Sequence, residues 1–375
     1  MAEAVTNLGT GLTGATTDDP VDDPVKRANV IGLGLIGGSV ALALTARGWQ
    51  VHGEDRDSSR VDAAQRRGAI RSGVLDPEAA VTFVATPVTA IPDAAKQALA
   101  ATSGLVTDVG SVKGPIAAAV ADARFCGGHP MAGSELDGLD GADAAMFEGA
   151  VWVLTPTADT ADATFAGVAR IVSDLGAEVV ALPPDRHDAL VAVVSHVPHL
   201  TAAALMTVAD QRAEEHAALL RLAAGGFRDM TRIAAGQPAL WLDICAENRT
   251  AIVDALDALV ERLGRMRATV AEGERGALLA ELTRARDARI NLPGRVAHSA
   301  EMAEVRTVIP DRPGAAAEVF TLAAELGVNV TDFEVYHSAE GERGVLILLV
   351  EATQSDLFRG GLMARGFRPS VRRLG

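Results

Sequence analysis

A glycine-rich segment near the amino terminus constrains the fold more than any other stretch. An apolar run over residues 29–31 leads into Gly32, Gly34 and Gly37, whose spacing is G-x-G-x-x-G, and a helical segment follows from Val40. In such a segment the first glycine permits a tight strand-to-helix turn. The second lets backbone approach a phosphate, and the third lets the helix pack on the strand. The pattern predicts a Rossmann-type domain.

The residues around this loop predict which dinucleotide it binds. Leu35 and Ile36 lie between the glycines, in the predicted cofactor-binding loop, and the helix N-terminus that follows offers N–H groups and partial positive charge to a pyrophosphate. Asp55 follows a second apolar run, at the place where a carboxylate holds ribose hydroxyls, and it would repel a 2′-phosphate. NAD is therefore the expected cofactor, although the adjacent Arg56 leaves NADP open. Thr86, at the end of a third run, completes the predicted cofactor-binding set.

Composition limits the class of protein and its partners. A formal net charge of −15 argues against binding nucleic acid or an anionic membrane. Cys126 and Cys245 cannot form a disulfide framework and suit a reducing cytoplasm. Residues 1–27 lack the features of a signal peptide and are predicted to be a disordered tail. No apolar run reaches the roughly 18 residues of a membrane span, so we expect a cytoplasmic protein without membrane contact.

The order of apolar runs predicts an α/β protein of three domains. From residue 28 to 182, strand-like runs such as 81–86 and 105–109 alternate with helical segments, which predicts a doubly wound parallel sheet. Residues 183–298 show only helical periodicity, and their long apolar faces favour a homodimer. Residues 302–375 have the order βαββαβ, a ferredoxin-like arrangement.

Two groups of candidate catalytic residues lie in the first domain. Ser111 and Lys113 follow a strand, where open parallel sheets bind ligands, so either could contact cofactor or substrate; a helix-capping serine beside a solvated lysine is the alternative. His129 stands between glycines and Pro130, which predicts a rigid loop. An imidazole with an ordinary pKa near 6.5 accepts protons at neutral pH. Cys126 and His129 have no further ligands nearby, so no metal site is predicted.

The helical domain interrupts an apolar helix with a polar motif. His196 and His199 are three residues apart and share a helix face, with Ser195 beside them. Pro198 removes a backbone donor, which predicts a kink at this point. A functional site is one interpretation, and a pair of satisfied core histidines is the other.

Two arginines follow in the same domain. Arg228 and Arg232 are four residues apart, so on one helix both guanidinium groups would point the same way. Such a pair suits a carboxylate bound through two hydrogen bonds. Surface ion pairing is the alternative.

Taken in order, these motifs resemble those of the prephenate dehydrogenase family, which comprises the prephenate and arogenate dehydrogenases of tyrosine biosynthesis. The matching stretches are GLGLIGGS (32–39), DVGSVK (108–113), GHPMAGSE (128–135), VSHVPH (194–199), FRDMTRIA (227–234) and WLDI (241–244), followed by Asn248.

The resemblance implies an NAD-dependent oxidative decarboxylation of prephenate to 4-hydroxyphenylpyruvate. It assigns His129 as the acceptor of a hydrogen bond from the ring hydroxyl, with Ser111 orienting that hydroxyl and His199 beside the nicotinamide. The substrate-binding residues that it implies are Arg232, Ser195, His196 and Arg228.

The C-terminal domain resembles an ACT regulatory domain. Asp311, Arg312, Pro313 and Gly314 lie between its first strand and helix, and Asn329 lies after the helix. ACT domains bind amino acids at this loop, often across a dimer interface, so tyrosine is the expected effector.

Three alternatives remain open at this level. Arogenate differs from prephenate by an ammonium in place of a keto group, and no motif decides between the two substrates. A non-catalytic sensor of NAD and amino acids would have no use for the combined set of Ser111, His129, His199 and Arg232. A dehydrogenase of simple 3-hydroxy acids would need a lysine in the helical domain, and residues 185–297 contain none.

Overall fold

The computed structural model describes residues 26–133, 138–215, 219–292, 302–310, 312–337 and 343–374. The chain forms two compact units, Met1–Asp257 and Ala258–Gly375. This division falls within a long helix, whereas the sequence predicts domain boundaries near residues 182 and 300.

A seven-stranded sheet forms the centre of the first unit. Its strands are β1 (Arg27–Ile31), β2 (Gln50–Glu54), β3 (Val81–Val84), β4 (Leu105–Asp108), β5 (Phe125–Pro130), β6 (Val151–Thr155) and β7 (Glu178–Ala181). Their spatial order is β2-β1-β3-β4-β5-β6-β7. The strands β1 to β5 are parallel to one another, as a Rossmann-type fold requires.

The last two strands correct the prediction of a wholly parallel sheet. β6 runs antiparallel to β5, and β7 runs parallel to β6. A parallel connection needs a crossover that is usually a helix. Among the described residues between β5 and β6, the regular structure is a single 3₁₀ turn, Leu139–Gly141. The chain therefore returns beside β5 in the opposite direction.

Helices cover this sheet. They are α1 (Leu35–Ala46), α2 (Ser58–Arg66), α3 (Ile91–Ala101), α4 (Gly114–Ala119) and α5 (Asp162–Asp174). Every residue of β3 and β5 is buried, which is typical of strands covered on both faces. In the core of the first unit the Trp152 ring packs against Phe83 and Phe147.

An all-helical part follows β7, as predicted. Its helices are α6 (Pro184–Val191), α7 (Val197–Glu215), α8 (Gly225–Thr231), α9 (Pro238–Glu247) and α10 (Arg249–Glu272). A single π-helical turn, Ala192–His196, joins α6 to α7 just before Pro198. The predicted interruption is thus a π-bulge, a feature common at functional sites.

One of the described helices passes the test of length and composition for a membrane span. It is the continuous helix Pro184–Ala213, of 30 residues, so the expectation that no run reaches this length was wrong. Helices packed inside a protein pass the same test. This one carries buried polar side chains, among them His187, Asp188 and His196, which suit a protein interior better than lipid.

The second unit contains a smaller sheet. After α11 (Arg275–Ile290), its elements are β8 (Met302–Pro310), α12 (Ala315–Glu325), β9 (Val330–His337), β10 (Arg343–Glu351), α13 (Ala352–Ala364) and β11 (Ser370–Leu374). The strand order is β11-β8-β10-β9, and all neighbours are antiparallel. The order β-α-β-β-α-β is the predicted one. Leu346, Leu348 and Phe358 are fully buried in its core.

Candidate active site

The three glycines after β1 have different steric surroundings. Gly32 has a φ of +96°, and a Cβ there would lie 2.4 Å from the carbonyl oxygen of Ala85. A Cβ at Gly37 would lie 1.8 Å from the carbonyl oxygen of Gly32. At Gly34, by contrast, an added Cβ would meet nothing within 4 Å. Two glycines are therefore needed for packing, and the third leaves open space beside the N-terminus of α1.

The surroundings of this space fit a dinucleotide. No side chain caps the first turn of α1, which begins with Leu35 and Ile36. The Asp55 carboxylate is held at the end of β2, since its Oδ2 accepts a hydrogen bond of 2.7 Å from the N–H of Leu33. The hydroxyl of Thr86 is buried without a hydrogen-bond partner. Donors for a pyrophosphate, an acceptor for ribose and an orphaned hydroxyl thus lie near the glycine loop.

The two arginines near Asp55 do not replace its carboxylate as the group that would face the ribose. Arg56 is exposed. Arg60 Nη1 lies 3.7 Å from Asp55 Oδ2, so it faces the carboxylate rather than replacing it. This arrangement favours an unphosphorylated ribose, because a 2′-phosphate would meet the anionic oxygens of Asp55.

His129 lies on strand β5 and not on the predicted loop. It pairs with Val153 of β6, and its side chain is 8% exposed. The glycines before it are required by close approach, since a Cβ at Gly128 would lie 2.7 Å from the carbonyl oxygen of Asp108 and 2.9 Å from Trp152 Nε1. A segment of glycines and proline resembles a loop in sequence, although neighbouring backbone makes it a strand here.

A chain of hydrogen bonds connects His129 to helix α6. Nδ1 of His129 lies 2.8 Å from Nε2 of His187, and Nδ1 of His187 lies 2.8 Å from Oδ1 of Asp188. The Asp188 carboxylate also accepts hydrogen bonds from the backbone N–H groups of Lys113 (2.8 Å) and Gly114 (2.7 Å). The first turn of α4 is therefore capped by a side chain from another helix.

His187 and Asp188 are central to the site, although no role was predicted for them from the sequence. Both are buried, at 0% and 7% exposure. They lie outside every motif identified above. The one sequence signal for a functional role is that a histidine and an aspartate are adjacent at the start of an apolar helix. Such a pair is equally compatible with an exposed position on the helix.

Lys113 is buried, so the interpretation of a solvated lysine was wrong. Its side chain is 1% exposed. Nζ donates hydrogen bonds to the Asp108 carboxylate and, at 2.7 Å, to the carbonyl oxygen of Gly128. Burial lowers the pKa of Lys113, and the charge of Asp108 opposes that effect. The amino group of Lys113 thus holds the backbone just before His129 and is shielded from solvent.

The environment of His129 favours the neutral imidazole. Burial lowers the pKa of His129 well below its ordinary value, and the positive charges of neighbouring His187, Lys113 and His196 would lower it further. Because Nδ1 is used in the contact with His187, Nε2 is the nitrogen that this contact leaves for a substrate. A neutral ring that presents Nε2 can accept a hydrogen bond at pH 7.

A second buried histidine lies close by. Asn248 Nδ2 donates a hydrogen bond of 2.9 Å to the carbonyl oxygen of Asp188 and lies 3.2 Å from His196 Nδ1. Nδ1 of His196 is therefore the acceptor, and its Nε2 is a buried donor without a partner. Burial lowers the pKa of His196 to about 4. The alternative of fully satisfied core histidines does not hold for this residue.

His199 lies one turn further along α7 and stacks on Trp241. The two ring centroids are 3.6 Å apart, and the ring planes differ by 11°. Burial lowers the pKa of His199. The neutral imidazole and the indole together form a flat aromatic surface.

Both serines singled out from the sequence are half-buried. Ser111 is half-buried in the loop between β4 and α4. The N-cap residue of α4 is Lys113, so Ser111 is not the predicted alternative of a capping serine. Ser195 is half-buried in the π-turn, directly before His196.

The two arginines do not form the predicted pair on one helix face. α8 ends at Thr231, and Arg232 opens a 3₁₀ turn, Arg232–Ala235, because the helix tightens there. Arg228 is exposed, and its Nε donates to the carbonyl oxygen of Ala223 at 3.0 Å. The turn that begins at Arg232 packs against α7. A side chain at Gly236, just after this turn, would contact His199 Cε1, so the turn lies on the His199 side of the domain.

The predicted regulatory loop is exposed at the start of α12. Asp311 lies outside the described residues. Arg312 Nη2 donates to Glu318 Oε1 at 2.6 Å, and Gly314, with a φ of +88°, is the N-cap residue of α12. The side chains of Pro313 and Asn329 are exposed.

Metal binding has no support in the part of the chain that the structure describes. No group of three or more His, Cys, Asp or Glu side chains there is arranged to hold an ion. Burial raises the pKa of the Cys126 thiol to about 12, so this residue does not supply a thiolate beside His129.

Comparison with known families gives matches along most of the chain. A family model described as "Prephenate dehydrogenase, nucleotide-binding domain" matches residues 40–181, and one described as "Prephenate dehydrogenase, dimerization domain" matches residues 183–284. The prephenate dehydrogenase of Bacillus subtilis (strain 168) is 34% identical over 340 residues, which are 84% of this chain and 89% of that protein.

Solved structures give the same result. The prephenate dehydrogenase of Aquifex aeolicus, crystallised with hydroxyphenyl propionate and NAD+, is similar with a TM-score of 0.67 and 29% identity; the match covers 72% of this chain and 99% of that one. The arogenate dehydrogenase of Synechocystis has a TM-score of 0.60 and 30% identity, with 70% and 98% covered.

The glycine loop generates a prediction that separates packing from ligand binding. Gly34→Ala should leave the melting temperature unchanged and weaken NAD+ binding at least about tenfold, because its methyl group enters the space that a pyrophosphate needs. Gly37→Ala should lower the free energy of unfolding by about 1–3 kcal/mol, because backbone must move. Thermal unfolding and NAD+ titration measure both. Wild-type NAD+ affinity in Gly34→Ala would contradict the assignment.

The buried ion pair generates a prediction about stability. Lys113→Met leaves the Asp108 carboxylate buried without its cation, which should cost about 3–5 kcal/mol of unfolding free energy. Lys96→Met is the matched control, because Lys96 is exposed in the same unit and should change stability by less than about 0.5 kcal/mol. Urea denaturation measures both variants. Equal stability of the two would show that the pair contributes nothing.

Proposed function

Because the chain belongs to the prephenate dehydrogenase family, we propose that it catalyses the NAD+-dependent oxidative decarboxylation of prephenate to 4-hydroxyphenylpyruvate and CO2. It is an NAD-dependent oxidoreductase. The observation that carries the choice of reaction is the buried, neutral His129, which presents one ring nitrogen as an acceptor in the same unit as the dinucleotide loop. A ring hydroxyl that becomes a phenol requires an acceptor of this kind.

In this reaction NAD+ accepts a hydride from the hydroxyl-bearing ring carbon. The electron pair of the bond to the ring carboxylate enters the ring, CO2 departs, and the ring becomes aromatic. His129 accepts a hydrogen bond from the hydroxyl through Nε2 and stabilises the partial positive charge that develops on that oxygen. The oxygen keeps its hydrogen, which becomes that of the phenol. Positioned acid–base assistance of this kind is worth about 10²–10⁴ in rate.

The two carboxylates of the substrate need local donors, because the net charge of −15 repels anions. Arg232 is proposed to bind one carboxylate from the turn that packs against α7. The unpartnered Nε2–H of His196 is a further donor, since a buried N–H without an acceptor costs free energy until a ligand supplies one. Ser195 and Arg228 are proposed to assist in binding, and Ser111 to orient the ring hydroxyl.

His199 is proposed to place the nicotinamide. Its ring is stacked on Trp241 and is therefore fixed in orientation. A flat, neutral pair of rings suits contact with another aromatic ring. Gly32, Gly34, Leu35, Ile36 and Gly37 would hold the pyrophosphate, Asp55 the ribose, and Thr86 a polar group of the cofactor.

Arogenate is the second candidate substrate, favoured by the similarity to the arogenate dehydrogenase of Synechocystis. Arogenate carries an ammonium group where prephenate carries a keto oxygen. His196 Nε2–H can donate to a keto oxygen, which only prephenate has, and it cannot accept from the ammonium group of arogenate. This polarity supports prephenate.

We propose three domains, at residues 28–182, 183–298 and 302–375, of which the last is a ferredoxin-like ACT domain. Its βαββαβ order and the exposed loop before α12 support tyrosine as an effector bound near Arg312 and Gly314. The helical domain is proposed to form a homodimer, because Leu190, Val193, Val194 and Val208 expose apolar side chains along one helix. A cytoplasmic location is proposed from the biosynthetic reaction.

A steady-state assay tests this function directly. NADH formation should be seen with prephenate and NAD+, with a kcat/KM at least about tenfold above that for arogenate, which corresponds to about 1.4 kcal/mol. Tyrosine should inhibit the intact chain and have no effect after removal of residues 302–375. A higher kcat/KM with arogenate would reverse the substrate assignment, and persistent inhibition of the shortened chain would contradict the proposed effector site.

Two variants separate the proposed chemical and binding roles. His129→Ala should lower kcat by about 10²–10⁴ with NAD+ affinity unchanged, because the acceptor is lost. Arg232→Ala should chiefly raise the KM for prephenate. Full kcat in His129→Ala at pH 7.5 would show that this residue is not the acceptor.

The wild-type enzyme should also show a characteristic pH dependence. Since the neutral form of His129 is active and its pKa lies below 6.5, wild-type kcat/KM should be constant above pH 6.5 and fall at lower pH.

A further inference from the structure

We propose that His187 is a positioning residue which, held by Asp188, determines which nitrogen of His129 carries the proton. The inference rests on the proposed function, because it concerns how His129 acts. A neutral imidazole has two tautomers, and only one of them presents a lone pair on Nε2. A residue that fixes the tautomer therefore decides whether the acceptor exists.

The Asp188 carboxylate is the fixed end of this chain. Its two oxygens accept from the backbone N–H groups of Lys113 and Gly114, which have no other protonation state. Oδ1 also lies 2.8 Å from Nδ1 of His187. An ionised carboxylate only accepts hydrogen bonds, so Nδ1 of His187 must carry a hydrogen.

The position of this hydrogen determines which ring nitrogen of His129 is the donor. When Nδ1 carries the one ring hydrogen of His187, Nε2 has a lone pair. That atom lies 2.8 Å from Nδ1 of His129, which must therefore be the donor. The hydrogen of His129 is on Nδ1, and its Nε2 has the lone pair that the substrate hydroxyl requires. No proton needs to move along this chain, since His187 acts through orientation alone.

Packing adds a geometric restraint to this electronic one. The His129 and His187 rings meet edge to face, with centroids 5.1 Å apart and planes at 71°. His187 is fully buried in α6. The His129 ring is thus fixed in rotation as well as in tautomer. In serine proteases a carboxylate that acts directly on the histidine has this role, and losing the tautomer costs about 10⁴ in rate.

The role of His187 can be separated from the structural role of Asp188. Asp188 caps the first turn of α4 through backbone bonds that do not involve His187. Substituting His187 therefore tests the tautomer while the cap is left intact. Gln at this position retains a carbonyl oxygen that can accept from His129 Nδ1, and Phe retains the ring shape without an acceptor.

The first measurement uses the wild-type protein. In ¹⁵N-histidine NMR spectra at pH 7.5, with the His129 signals identified by their loss in His129→Ala, we expect a protonated Nδ1 and an unprotonated Nε2. The opposite tautomer, or a doubly protonated His187 that forces it, would overturn the inference. This measurement does not depend on turnover. Absence of activity with prephenate would contradict the proposed function alone.

The second measurement is kinetic. His187→Phe should lower kcat about 10–100-fold, with the KM for prephenate and the NAD+ affinity changed by less than about twofold. His187→Gln should recover at least about half of the decrease in log kcat. His52→Phe is the matched control, because His52 contacts Ser72 and Val74 and lies outside this cluster. Wild-type kcat in His187→Phe would overturn the inference. If that variant fails to fold, the wild-type spectrum still decides.

Discussion

The buried carboxylate of Asp188 is the interaction on which the candidate site depends. It accepts two backbone hydrogen bonds from the start of α4 and one from His187 on its own helix. The nucleotide-binding part and the helical part of the first unit are thereby joined at one point. Because the carboxylate is buried, any shift of α6 relative to α4 would leave donors unpaired at a cost of about 1–3 kcal/mol each. The position of His187, and through it of His129, follows from this constraint.

A second buried charge holds the other side of His129. Lys113 binds the carbonyl oxygen of Gly128, the residue before His129, and is itself neutralised by Asp108. In the loop before α4, backbone N–H groups therefore bind Asp188, and the Lys113 side chain binds β5. The contact with β5 positions the backbone of His129, and the contact through His187 positions its ring. Such a site is organised before substrate binds, which is the condition under which fixed dipoles assist a reaction.

The sequence predicted the parts of the fold that depend on local geometry. The glycine loop and Asp55 were identifiable because their roles depend on residues close to them in sequence. The glycines lie between a strand and a helix, and Asp55 follows the next strand. Strand β5 was missed because its glycines are required by Asp108 and Trp152, which are distant in sequence. The reversed direction of β6 depends on the conformation of the segment between β5 and β6, and the spacing of apolar residues does not predict strand direction. Lys113 and Asp188 gain their roles only from burial against partners on other elements, and a helix that ends at Thr231 separates the two arginines.

The proposed reaction requires that the reacting oxygen of the substrate meets Nε2 of His129 in a site where the nicotinamide also lies. A crystal structure of the protein with NAD+ and 4-hydroxyphenylpyruvate would show both contacts. The phenol oxygen should lie about 2.6–3.2 Å from Nε2 of His129, with the nicotinamide ring over the carbon that bears this oxygen. A phenol oxygen beyond hydrogen-bonding distance of His129, or one bound on a face remote from the nicotinamide, would contradict it.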